Sequence, residues 1–170
     1  MINICIIENN IKDYSFFVNA LGNYMLIPPD TKVLKELRAA ISAKYETGKK
    51  PEVVAQATQK IKELLEGQKN DGYLVDYILK DGNSLCNGTR FIEDFIPNGW
   101  VLIVTTGGSA SDKNKIMRFI SENKSNYEYL NVIYKPEKLD EAFRELLLSE
   151  IRKISPNNDD PEFNANILQS

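Results

Sequence analysis

Short, wholly apolar runs punctuate the chain, and between them apolar residues recur at helical spacing. Residues 3–7 form the first run and end in Glu8-Asn9-Asn10. A run that is apolar throughout, rather than alternating, predicts a strand buried on both faces of a parallel sheet. Residues 11–22 then predict a helix with Ile11, Phe16 or Phe17, Ala20 and Leu21 on its apolar side. Residues 24–27, closed by Pro28 and Pro29, predict a short second strand at a sheet edge. Further strands are predicted over 73–79, 100–104 and 130–134. Asn87-Gly88 opens a short helix with Phe91, Ile92, Phe95 and Ile96, broken by Pro97-Asn98-Gly99. Ser111 or Asp112 is the expected cap of a helix carrying Ile116, Met117 and Ile120. A last helix shows Leu139, Ala142, Phe143, Leu146, Leu147 and Ile151 at helical spacing.

Residues 30–68 differ in character. Asp30 or Thr31 is the expected cap of a helix with Leu34, Leu37, Ile41 and Tyr45 on one face. Gly48 ends it, and Pro51 suits the first position of a second helix with Val54, Ala57, Ile61 and Leu64. Two such helices joined by a short connection predict an antiparallel helical hairpin inserted between strands two and three. It either covers the sheet or offers a partner or homodimer surface. Strands alternating with helices predict an α/β fold: a doubly wound, five-stranded parallel sheet with right-handed crossovers. One domain is expected over residues 1–154, followed by a polar, disordered tail over 155–170. Action through protein contacts is then expected, unless the sequence is part of a longer chain with an output domain.

Composition narrows the function classes. With 170 residues and 42% hydrophobic content the chain suits one core. Net charge of −3 and a pI of about 5.2 give no electrostatic footprint for nucleic acid. No apolar run approaches the roughly 20 residues of a membrane span, and the first residues do not read as a secretory leader. Cys5 and Cys86 are too few for a disulfide framework or zinc site, so packing roles and a cytoplasmic setting are expected. The sequence contains no histidine, which excludes histidine catalysis within this chain.

Asp76 lies inside an apolar run, where desolvating a carboxylate is costly. It either caps the next turn or sits where the strand opens into a cleft beside a cation. In an open parallel sheet, ligands bind at the carboxyl ends of the strands. Those ends carry Glu8-Asn9, Asp76, Thr106-Gly107 and Lys135-Pro136. This set suits phosphoryl transfer, with Asp76 as the nucleophile that forms an acyl phosphate. Mg²⁺ would take oxygen ligands from Glu8, Asn9, Asp76 and the backbone carbonyl of Ile78. The Thr106 hydroxyl would bond a phosphoryl oxygen, and Lys135 would pair with Asp76 and then with the phosphoryl group. Pro136 would fix the turn that aims the lysine, a cis bond being one way to do so.

With these residues in place, the chain resembles the receiver domains of two-component response regulators. The resemblance rests on Ile6–Asn10, Leu74–Leu79, Asn87-Gly88, Val104–Gly107 and Tyr134–Pro136, and covers about residues 1–152 apart from the inserted helices. It implies Asp76 as phosphoacceptor, Thr106 as switch hydroxyl, Lys135 as the family's lysine, and a flavodoxin-like sheet of order 2-1-3-4-5. It further implies a histidine kinase or phosphotransfer protein as donor, a downstream protein target, and no enzymatic activity beyond transfer to, and hydrolysis from, its own aspartate. Three departures matter. Asn9 replaces a metal-binding carboxylate, Val132 occupies the aromatic switch position while Tyr134 faces the other way, and the link from Asp76 to Asn87-Gly88 is long. Two readings follow: a phosphorylated receiver, or a pseudo-receiver serving as a constitutive interaction module. Other phosphate enzymes fit less well. A dehalogenase-type phosphatase needs an acid where Ile78 stands, and no P-loop pattern occurs. Gly107-Gly108-Ser109 is more simply a mobile switch loop than an anion site.

Overall fold

The computed structural model describes residues 2–8, 10–22, 31–67, 70–81, 84–106 and 108–154. Four strands, β1 (Ile4–Ile7), β2 (Gly72–Asp76), β5 (Trp100–Thr105) and β6 (Tyr129–Tyr134), form a parallel sheet of order β1-β2-β5-β6. The strand expected over 24–27, the Asp30 cap and the tail from Ser155 lie outside the described residues.

Alternation along each strand divides the interior into two cores. Ile4, Ile6, Leu74, Leu102 and Val104 face one side, where α1 (Ile11–Leu21) and α6 (Glu141–Ile151) cover them with Phe17, Leu21, Phe143 and Leu147. Cys5, Ile7, Val75, Val101 and Ile103 face the other. Four helices supply the apolar cover there: α2 (Thr31–Tyr45), α3 (Pro51–Glu66), α4 (Gly88–Phe95) and α5 (Ala110–Asn123). The parallel sheet with helices on both faces agrees with the apolar runs.

The helical hairpin forms as expected. Pro51 opens α3, and Gly48, at φ +82°, turns the chain between the helices where a side chain would be strained. Its apolar stripes are spent inside the molecule: Leu37, Ile41, Tyr45, Ile61 and Leu65 belong to the second core. Leu65 takes the deeper position expected for Leu64, which is only partly buried. The side chain of Leu34 lies outside the described residues.

The expected strand over 73–79 is two strands. β2 ends at Asp76, the ladder breaks at Tyr77, and β3 (Ile78–Asp81) pairs antiparallel with β4 (Ser84–Asn87) in a separate hairpin. The sequence supplies the reason: Gly82-Asn83 is a hairpin-turn signature, and Asp81 and Ser84 pair on either side of it. Leu79 and Cys86, opposite one another, return to the core and keep the run apolar.

The cap of α5 is Ser109 rather than Ser111 or Asp112. Its hydroxyl accepts from the Asp112 N–H at 3.1 Å, and Asp112 accepts from the Ser109 N–H. Ile11, Met117 and Leu146 were expected on apolar faces but are exposed, and Tyr14, Phe119 and Leu148 are buried instead. Helical phase selects the residues that meet the sheet. Among the described residues no helix is long and apolar enough to cross a membrane.

Candidate functional site

Because the four strands run parallel, their carboxyl ends share one edge of the sheet. Glu8 follows β1, Asp76 ends β2, Thr106 follows β5 and Lys135 follows β6. The Lys135 N–H donates to the Thr105 carbonyl at 2.6 Å, which anchors the start of the lysine's turn. No described peptide bond, including Lys135-Pro136, is cis.

The lysine side chain runs back into the edge. Its Nζ lies 2.9 Å from Asp13 Oδ2, 3.4 Å from Asp76 Oδ1 and 3.7 Å from Glu8 Oε2. Glu8, Asp76 and Lys135 are all buried. The expected Lys135–Asp76 pairing is therefore present. Asp13 is a carboxylate that strand-end reasoning passed over. It stands in the first turn of α1, whose N-cap is Asn10. Asn10 Oδ1 accepts from the N–H groups of Lys12 and Asp13, and its own N–H donates to Glu8 Oε1 at 3.0 Å. The cap closes without the Asp13 carboxylate, which reaches across to Lys135. An acid in the first turn of the helix that leaves the same sheet edge was the available signal.

A cleft of about 380 Å³ opens over this edge, lined by Asn10, Asp13, Asp76, Ile78, Lys80, Thr105, Thr106 and Lys135. Thr106 is exposed on it, as a phosphoryl-bonding hydroxyl requires. Tyr134 points to solvent, its ring beneath the Lys113 ammonium at 5.6 Å, and Val132 is half-buried. The Ile78 N–H donates to the Asp76 carboxylate. Asn9 lies outside the described residues. Among those described, no three histidine, cysteine, aspartate or glutamate side chains are grouped to hold a metal ion.

Burial sets the electrostatics. It pushes the Glu8 carboxyl up to about 8, with the negative Asp76 adding to the rise and Lys135 opposing it. Glu8 Oε2 is buried and has no hydrogen-bond partner among the described residues. Burial likewise raises Asp76, against the pull of Lys135. For Lys135 burial acts downward, but Asp76, Glu8 and Asp13 outweigh it and hold the ammonium above its ordinary value. One ammonium thus serves three acidic side chains.

A pH dependence follows. The unfolded Glu8 ionises near 4.5 and the folded one near 8, so between these the folded state holds a proton that the unfolded state has lost. Its contribution to stability is complete below the lower value and fades as pH rises through the upper one. Urea midpoints should therefore fall from about pH 5 to about pH 8, and Glu8→Gln should flatten that slope. A wild-type midpoint that rises over this range while that of Glu8→Gln does not would mean the fold prefers the charged carboxylate.

Comparison with known proteins finds no matching family model, no similar curated protein and no similar solved structure.

Proposed function

We propose that the chain is a receiver-like signalling protein whose Asp76 accepts a phosphoryl group from a partner histidine kinase or phosphotransfer protein. The observation that carries this reading is the buried Asp76–Lys135 pair, 3.4 Å apart, opening on a cleft that Thr106 also lines. An Asp76 oxygen attacks the phosphorus of a phosphohistidine. The P–N bond breaks, the imidazole leaves with its electron pair and takes up a proton, and an acyl phosphate remains on Asp76. Lys135 then pairs with the phosphoryl oxygens, and the Thr106 hydroxyl donates to one of them. Water attack on phosphorus later returns the carboxylate and inorganic phosphate. Mg²⁺, held by Glu8, Asn9, Asp76 and the Ile78 carbonyl, would supply neutralisation of the phosphoryl charge. Carboxylate oxygens fit such a hard ion, and the buried Glu8 Oε2 without a hydrogen bond is a donor that it would satisfy. We take the full sheet to be flavodoxin-like, with a fifth strand over 24–27 beside β1 in the order 2-1-3-4-5. The phosphorylated protein acts on a downstream protein target in the cytoplasm.

One observation favours a second reading, the pseudo-receiver. Lys135 Nζ lies closer to Asp13 than to Asp76, so the acidic edge already carries its own cation. Intact mass after incubation with acetyl phosphate and Mg²⁺ separates the two. The expected result is a single labile phosphoryl adduct on the wild type that is absent from Asp76→Ala, acetate being the leaving group. No adduct on the wild type, together with labelling of Asn9→Asp, would establish the pseudo-receiver.

A further inference from the structure

The β3–β4 hairpin leaves the sheet directly after Asp76, and beyond the Ile78 backbone the phosphoacceptor chemistry gives it no task. Strand alternation sorts its side chains. Leu79 and Cys86 enter the core, whereas Ile78, Lys80 and Leu85 are exposed on the other face. Of these, Ile78 and Lys80 line the cleft together with Asp76, Thr106 and Lys135.

The charges at this edge leave room for a second cation. Lys135 already serves Asp13, Asp76 and Glu8. Phosphorylation turns the singly charged Asp76 carboxylate into a doubly charged acyl phosphate, so the edge becomes more negative by one while its buried ammonium stays the same. Phosphoryl oxygens shielded from water need charge-assisted donors, and a lysine on a flexible stem serves as a point charge for them. Lys80 is the lysine that the hairpin places on the cleft wall.

We propose that Lys80 is a phosphoryl-binding residue of this cleft, so that phosphate or a phosphoryl group on Asp76 is held between Lys80 on the hairpin and Lys135 at the end of β6. The covalent part rests on the phosphoacceptor reading; the binding of phosphate does not.

Two measurements on wild type, Lys80→Gln, Lys80→Arg and a surface control, Lys60→Gln, test it. The first is the dissociation constant of inorganic phosphate with Mg²⁺ present, by phosphorus NMR. The second is the rate of adduct formation from phosphoramidate, by intact mass. Lys80→Gln should weaken phosphate binding and slow the adduct by about tenfold, the size of one charge-assisted hydrogen bond. Lys80→Arg should recover most of both, and Lys60→Gln should stay within about twofold of wild type. Phosphate binding by Lys80→Gln equal to wild type, or no phosphate binding by the wild type, overturns the proposal. Lys80-dependent phosphate binding without any adduct would support the anion site and remove the phosphoacceptor reading. An Asp76 adduct that forms equally fast in Lys80→Gln, with phosphate binding unchanged, would do the reverse.

Discussion

Lys135→Met is expected to lower the unfolding free energy by about 3–5 kcal/mol at neutral pH and by clearly less near pH 5. The side chain of Lys135 is 6% exposed and those of Glu8 and Asp76 are 1% and 10% exposed. Methionine fills much of the same volume, so the loss is not a cavity effect. It arises because the variant leaves buried carboxylates facing one another without a cation. Against a total stability of about 5–15 kcal/mol, such a loss brings the protein close to unfolding. The carboxylates have one escape, which is to bind protons. Burial already raises Glu8 and Asp76, and removing the ammonium raises both further. In mild acid they become neutral carboxyls, whose burial costs far less. Urea denaturation of both proteins at about pH 5 and about pH 7.5 checks this. Adding Asp76→Asn to the variant should restore part of the loss, because the two residues share one network. Equal losses at both pH values, or a loss under about 1 kcal/mol, would show that Lys135 does not neutralise this edge.

How much of this was legible in the sequence depends on what each residue answers to. β1 and β5 were readable because both faces of each are buried, which leaves no polar position to obscure the run. The meeting of Glu8, Asp76, Thr106 and Lys135 was readable because parallel strands bring their carboxyl ends to one edge whatever lies between them. Asp13 was not. It is 122 residues from Lys135, and the contact depends on the reach of one lysine side chain. The break at Tyr77 was hidden because Leu79 is as buried as Leu74, so hydrophobicity runs through it unchanged. Gly82-Asn83 is a turn signature, but such a pair marks equally well the end of one strand or the join of two. In α6, Leu146-Leu147-Leu148 occupies three successive positions, and such a run fixes no face by itself; the sheet selects the last two. The Ser109-to-Asp112 spacing of the capping box was on view, yet Ser111 and Asp112 lie nearer the apolar stripe and drew the expected helix start toward it.

Gly88→Ala should be destabilising by about 1–3 kcal/mol and, with Asp76 as the proposed phosphoacceptor, should also slow its phosphorylation, by roughly a hundredfold for a displacement near 1 Å. Gly88 is the first residue of α4, and its N–H donates to the Tyr77 carbonyl at 2.6 Å. It is not among the glycines at positive φ, so backbone freedom is not what the position requires. Space is. A Cβ there would lie well inside van der Waals distance of the Asp76 carbonyl oxygen and 3.0 Å from Tyr77 Cα. Both neighbours are backbone, and neither side can give way easily. β2 is hydrogen-bonded between β1 and β5, while α4 is anchored by Phe91 and Ile92 in the core. Ordinarily alanine stabilises a helix relative to glycine by about 0.5–1 kcal/mol, so the expected sign is reversed here by contact alone. Gly22 provides the control. It caps the end of α1 at a helical φ of −53°, and a Cβ added there would meet none of the described residues within 4 Å. Gly22→Ala should be neutral or slightly stabilising and should leave the adduct rate unchanged. If Gly88→Ala were as stable as Gly22→Ala, α4 would be free to withdraw from Asp76, and the close packing beneath Asp76 would not be what holds it in place.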